Sequence, residues 1–199
     1  MPRLKVKNDL PAGVVADVPE AARTVIGRQR MTKAVVALGA NLGSPRQQII
    51  DALRAIKSQP EFSLLDVSSI YSSPPMGPPD QPDYMNAVCI INSSISAADT
   101  LATLHHIEDS FGRTRTRHWG ERTLDLDLIL FGEQRSDADS LRLPHPGLYQ
   151  RNFVIIPLVE IAADLTLPNG ASVQQQAQRV TEAGLTVVLL SDKLKQQLG

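Results

Sequence analysis

A single cysteine, Cys89, stands among the 199 residues, so no disulfide can form within the chain. Its neighbours Ala87, Val88, Ile90 and Ile91 mark it as a buried thiol acting as a small hydrophobe. Also missing is any apolar run near the ~20 residues a membrane helix needs. The N-terminus has scattered basic residues but no continuous apolar core of a secretory signal. The chain is therefore expected to stay in water, with the cytoplasm as its location and no membrane partner. Aromatic residues are only 4% of the sequence and the formal net charge is -1. A general nucleic-acid binder shows an overall basic field, and an RNA-reading sheet shows clustered surface aromatics. Neither is present, so any anion site must be local. His105 and His106 have no acidic or cysteine partners at metal-ligand spacing, which argues against zinc.

What is there is a globular composition, 42% hydrophobic and 21% charged, of a length that fits one domain or one domain with a tail. Residues 1–31 are mixed polar and small, interrupted by Pro2, Pro11, Gly13 and Pro19. They read as a flexible N-terminal extension to which no chemistry is assigned, leaving residues 32–199 as the domain. Lys33 to Ala40 reads as a buried strand that ends in the turn Asn41-Leu42-Gly43. Ser44 as N-cap and Pro45 as first helical residue open a helix carrying Ile49, Leu53 and Ile56. Phe62 to Ser72 reads as one strand, with Leu64, Asp66, Ser68 and Ile70 on one side and Leu65, Val67 and Tyr71 on the other. Tyr84 to Ile95 reads as another strand. The proline-dense loop between them, Ser73 to Asp83, suits neither helix nor sheet ladder. Ser96 with Asp99 opens a helix from Ala97 to about Ser110, which Gly112 stops. Leu124 to Phe131 is a strand. A short helix follows within Phe153 to Ile161, then a helix near Ser172 to Glu182 and a strand near Thr186 to Leu190. The order βαββαβ is that of an α+β, ferredoxin-like sandwich, an antiparallel sheet with helices on one face and extra C-terminal elements.

The most informative segment is Arg122-Thr123-Leu124-Asp125-Leu126-Asp127. On a strand, i and i+2 project to one side with Cα atoms about 6.5–7 Å apart, a spacing that suits a pair of metal ions. Two hard carboxylates facing one cleft favour Mg²⁺, which takes one or two carboxylates and completes its shell with water and phosphate oxygens. Alone, such a pair is more often the polar face of an edge strand. Directly upstream, however, Arg113, Arg115, Arg117, His118 and Arg122 crowd between Gly112 and the acidic strand. A polyphosphate answers both charges, because guanidinium groups bind phosphate oxygens bidentately. Glycines would let this loop open and close, with Trp119 as a lid that excludes water. His145 and Arg151 could add to the same phosphate site, although each taken alone reads as structural. Tyr84 and Asn86, also at i and i+2, combine an aromatic face with an amide, as a flat hydrogen-bonding heterocycle requires. On their own they would read as a packed tyrosine and a satisfied strand asparagine.

Together, Gly39-Ala40-Asn41-Leu42-Gly43, Ser73-Pro74-Pro75-Met76-Gly77 with Asp80 to Asn86, Arg117 to Asp127, and Pro144-His145 with Arg151-Asn152-Phe153 resemble the 6-hydroxymethyl-7,8-dihydropterin pyrophosphokinase family. The resemblance runs from about Lys33 to the C-terminus. It implies a ferredoxin-like fold with mobile active-site loops, ATP and a pterin alcohol as substrates, two Mg²⁺ ions on Asp125 and Asp127, and a monomer. It implies a pterin stacked between Tyr84 and Phe153, read at its edge by Asn86 and the backbone around Ser73, Pro74 and Met76, and closed over by Trp119. For ATP it points to Glu108, Arg113, Arg115, Leu128, His145 and Arg151. Arg113 and Arg122 carry the catalytic roles, Arg122 as the group that supports the transition state. The sequence departs from the family in a shorter loop before Trp119, which leaves open which of Arg115, Arg117 and His118 touches phosphate, and in Pro146, where tyrosine is common.

The implied reaction moves a diphosphate from ATP to the pterin hydroxymethyl group and releases AMP, a step in folate biosynthesis. The rival reading, a two-metal nucleotidyltransferase, uses the same carboxylate pair but releases pyrophosphate.

Overall fold

The computed structural model describes residues 31–77, 80–112 and 122–199. The expected N-terminal extension, apart from Met31, lies outside them, as do Arg113, Arg115, Arg117, His118 and Trp119. In chain order the elements are β1 (Thr32–Ala40), α1 (Pro45–Lys57), β2 (Phe62–Val67), β3 (Ile70–Ser73), β4 (Tyr84–Ser93), α2 (Ala97–Ser110), β5 (Asp125–Phe131), β6 (Ser136–Ala138), β7 (Leu141–Leu143), α3 (Asn152–Ala162), α4 (Val173–Ala177), β8 (Thr186–Leu189) and α5 (Ser191–Leu198). The main sheet runs β5-β1-β4-β3-β8, with β2 also on β4, and its pairings are antiparallel. This is the ferredoxin-like α+β arrangement, extended at one edge by β8 and accompanied by a β6–β7 hairpin. Among the described residues no helix is long and apolar enough to cross a membrane.

Helices cover both faces of the sheet rather than one. Ala34, Val36 and Leu38 of β1 pack with Ile49, Leu53 and Ile56 of α1 and with Leu104 and Ile107 of α2. Val35 and Ala37, one residue out of phase, pack with Val154, Ile155 and Leu158 of α3 and Val173 of α4. A strand apolar on both sides needs cover on both, and the α3–α4 segment supplies the second layer. Cys89 lies fully buried on the first face, and burial pushes its thiol up to about 12.

The segment from Phe62 to Ser73 is one sheet edge broken into two strands. β2 and β3 both pair with the same side of β4, but the register slips between Leu64 and Asp66 and the ladder is interrupted at Ser68 and Ser69. Phe62, Val67 and Ile70 then all face α1 and α2, with Leu64 packed beside them, contrary to the strict alternation expected. Side chains repair the break. Ser68 donates its N–H to the Val88 carbonyl, and its hydroxyl accepts the Val88 N–H, both at 2.9 Å. Ser69 N–H donates to Glu160 of α3 at 2.7 Å, and the Tyr71 hydroxyl donates to the same carboxylate. Serines can replace ladder partners in this way, which alternation alone does not reveal.

Other boundaries follow local chemistry. Pro45 opens α1, Ser96 caps α2 by accepting the Asp99 N–H, and Gly112 takes a positive φ just past that helix. The helix expected near Ser172 to Glu182 is only α4, started by a capping box between Ser172 and Gln175. The helix α5 lies beyond the elements expected from the sequence. It is strapped to the body by Lys195 on Asp66 at 2.7 Å and by Arg54 and Lys57 of α1, which donate to the carbonyls of Gln197 and Leu198 at 2.9 Å.

Candidate active site

Asp125 and Asp127 owe their position to the leucines between and beside them. Leu124, Leu126 and Leu128 are each at most 3% exposed and lie in the core against α1 and α2. Burying one such side chain contributes roughly 1.5–3 kcal/mol, and a one-residue slip would drive both carboxylates into that core. The register therefore holds the two aspartates on the opposite face, at the end of β5.

Neighbouring strands complete the site. Gly39 of β1 pairs with Asp125 on one side and Asn86 on the other, and Ala37 pairs with Asp127 and Val88. Tyr71 pairs with Asn86 and Ser73 with Tyr84. Directly paired residues share a face, so one band across the sheet carries carboxylate, glycine, amide and phenol in sequence. The cleft above it is lined by Ser73, Pro74, Met76, Tyr84, Asn86, Arg122, Asp125, Asp127, Arg151 and Phe153, with Ala37, Leu38, Gly39 and Gly77. Ten of the sequence-predicted site residues thus meet in one place.

Asn86 is 4% exposed and donates Nδ2–H to Ser73 Oγ at 2.9 Å, while its Oδ1 lies toward Gly39. Gly39 forms the floor: a Cβ there would sit 3.7 Å from Asn86 Oδ1 and 3.9 Å from the Tyr84 ring. An alanine would fit, whereas a longer side chain would fill the cleft. Asn86→Ala is expected to weaken binding of a pterin ligand roughly 10- to 100-fold, the effect of about 1–3 kcal/mol for a lost buried hydrogen bond. Nucleotide affinity should stay unchanged. Calorimetry with each ligand checks this, and equal weakening of both would refute the assignment of Asn86 to one subsite.

On the other side of Gly39 the charges are paired. Arg122 donates to Asp125 at 2.5 Å and Arg151 to Asp127 at 2.8 Å, all four side chains being partly exposed. The Arg151 guanidinium also lies 5.8 Å from the Phe153 ring centre, within cation–π range. Gly147 makes room for it: a Cβ on Gly147 would fall 2.4 Å from Arg151 Nε. The Gly147 N–H also donates to His145 Nδ1 at 3.0 Å. With Nδ1 accepting, the neutral ring carries its proton on Nε2. That atom is 3.7 Å from Asp127, too far for a hydrogen bond. Burial lowers the His145 pKa, against the opposing pull of Asp127, so the ring is neutral near pH 7 and presents an N–H toward the site.

Two residues expected at the nucleotide, Glu108 and Leu128, do not line this cleft. Glu108 is 1% exposed and its carboxylate accepts the Leu126 N–H at 2.7 Å, so it holds β5 in place. Leu128 packs with α1 and α2. Gly39, Asn41 and Gln81 stood in the sequence only as parts of motifs, with no role expected for them, yet the contacts of Asn41 and Gln81 tie the loops together. Asn41 stood in view as a turn residue, but nothing in one sequence shows that its amide is buried.

Among the described residues no three His, Cys, Asp or Glu side chains gather as a metal cage; the donors that could hold a metal in this cleft are the carboxylates of Asp125 and Asp127. That set fits Mg²⁺, whose shell is usually completed by water and substrate phosphate.

A family model described as 7,8-dihydro-6-hydroxymethylpterin-pyrophosphokinase (HPPK) matches residues 35–163. A Haemophilus influenzae protein named 2-amino-4-hydroxy-6-hydroxymethyldihydropteridine pyrophosphokinase is 44% identical over 152 residues, covering 76% of this chain and 95% of that protein. A Pseudomonas aeruginosa protein of the same name is 47% identical over 135 residues, covering 68% and 83%. Among solved structures, an HPPK-DHPS in complex with substrates superposes with a TM-score of 0.60 at 11% identity. It covers 75% of this chain, which spans 44% of that larger chain. At that identity the likeness speaks for the fold.

Proposed function

The chain belongs to the 7,8-dihydro-6-hydroxymethylpterin-pyrophosphokinase family, and we propose that it transfers the diphosphate of ATP to the hydroxymethyl group of 6-hydroxymethyl-7,8-dihydropterin, releasing AMP, in folate biosynthesis. The observation that carries this reading is Gly39 between Asn86 and Asp125. Adjacent strands lie about 4.8 Å apart, so a heterocycle held at Asn86 would extend its side arm across a bare glycine to the carboxylates. Tyr84 and Phe153 would stack on the ring, Asn86 and the backbone around Ser73, Pro74 and Met76 would read its edge, and Trp119 would close over it.

Asp125 and Asp127 would hold two Mg²⁺ ions, which supply charge neutralisation at the transferring phosphates. Arg122 and Arg151, now paired with those carboxylates, would turn to phosphate oxygens. His145 would donate Nε2–H to the nucleotide, and Arg113 and Arg115 would serve the same polyphosphate. The hydroxymethyl oxygen bonds to the β-phosphorus in line, the bond from that phosphorus to the α,β-bridging oxygen breaks, AMP departs and the hydroxyl proton is released. Transfers of this kind depend on positioning and electrostatic stabilisation more than on a covalent intermediate, so no obligatory base is assigned.

The test is product analysis. Protein incubated with ATP, Mg²⁺ and the pterin alcohol should yield AMP and a pterin diphosphate on chromatography. ADP would mean attack at the γ-phosphorus, and pyrophosphate with an adenylated pterin would mean the nucleotidyltransferase chemistry that family membership disfavours.

A further inference from the structure

Asn41 follows the last residue of β1 and is 2% exposed. It does not line the cleft, yet its amide is used at both ends. Oδ1 accepts the Arg122 N–H at 2.8 Å. Nδ2 donates to Gln81 Oε1 at 3.3 Å and to the Pro82 carbonyl at 3.1 Å. The backbone joins in, since the Asn41 and Leu42 N–H groups both donate to the Arg122 carbonyl, at 3.0 and 3.2 Å. Each segment gripped this way lacks regular structure: residues 80–83 and 122–124 belong to no helix or strand. One leads into Tyr84, the other carries Arg122 onto Asp125. Segments without their own backbone ladder take their position from such side-chain contacts.

We propose that Asn41 is a positioning residue that latches the loop before β4 to the Arg122 segment, so that the heterocycle subsite and the phosphate subsite assemble in one register. The proposal rests on the diphosphate-transfer reading for the identity of the subsites, but the latch itself is a property of the free protein. The two arms of the amide are chemically separable. Aspartate keeps an oxygen for the Arg122 N–H, but it loses the donor and turns a second oxygen toward Gln81 Oε1 and the Pro82 carbonyl. Alanine loses both arms.

Residue-resolved amide hydrogen exchange, steady-state kinetics and thermal melting of the full chain test this. With Asn41→Ala, exchange should accelerate about tenfold or more at both 80–84 and Arg122, and kcat should fall about tenfold or more. Affinity for a non-hydrolysable ATP analogue should stay within about threefold. With Asn41→Asp, the Arg122 amide should remain protected while 80–84 loosens, and the KM for the pterin should rise more than kcat falls. If alanine at this position prevents folding, the aspartate variant together with Gln81→Ala, which removes one partner from the other side, still reads the loop arm. Equal loosening of both segments in Asn41→Asp, or faster exchange with wild-type kcat and KM, would overturn the proposal. Absence of AMP from the wild-type protein would instead refute the diphosphate-transfer reading and leave the exchange result standing.

Discussion

Replacing Asp127 with alanine is expected to lower turnover about 1,000-fold while the fold persists. Losing several kcal/mol of transition-state charge stabilisation corresponds to a factor of this order, at tenfold per 1.36 kcal/mol. The fold should survive because Asp127 contributes no core packing: its side chain is 30% exposed, and the strand is pinned from the other face by Leu126 and Leu128. Removing it frees Arg151, itself 20% exposed at the side chain, which can turn to solvent. Asp125→Ala should act similarly, freeing Arg122 instead. The two variants differ in one readout: Asp127 also neighbours His145, so its loss should disturb nucleotide binding more. Steady-state assays across a Mg²⁺ titration, with melting curves as the fold control, decide the matter. Near wild-type turnover by either variant at low Mg²⁺ would remove that residue from the proposed metal site.

Gly39→Val should weaken pterin binding sharply, for a different reason. Valine suits a strand interior, and the Cβ position makes only ordinary contacts with Asn86 and Tyr84, so the sheet should tolerate the change. The two added methyl groups would stand where the ligand must cross between Asn86 and Asp125. Forcing extra methylenes into a packed site costs about 1–3 kcal/mol, so affinity should fall by about 5- to 150-fold. Gly39→Ala should be far milder. Direct binding measurements on both variants provide the check, and tight pterin binding by the valine variant would mean that the ligand does not lie over this glycine.

The folded chain was legible where one physical signal dominated. β1, α1, β4, α2 and β5 carry long apolar periodicities with clear caps, and their observed limits differ from expectation by a few residues at most. The carboxylate pair, the asparagine and the tyrosine could be read because i, i+2 spacing fixes which side chains share a face. Three things could not be read. Ser68 and Ser69 interrupt a strand through hydrogen bonds to Val88 and Glu160, partners distant in sequence. Helices on the second face follow from α3 packing onto β1 and β4, a tertiary fact that the pattern of α3 alone leaves open. Glu108 resembles a surface acid beside a basic loop, and only the fold shows its carboxylate on the Leu126 amide.

The strap between α1 and α5 bears on the order of folding. Arg54 and Lys57 reach carbonyls 143 and 141 residues away in sequence, and contacts of such separation carry the largest loop-closure entropy and form late. β8 and α5 are thus expected to dock last and to detach first in partial unfolding. Detachment would bare the outer edge of β3, the strand that carries Tyr71 and Ser73 beneath the cleft. The chain's final fourteen residues, though at the opposite edge of the sheet from Asp125 and Asp127, are therefore expected to set how long one wall of the cleft stays closed to exchange with solvent and to pairing with a foreign strand.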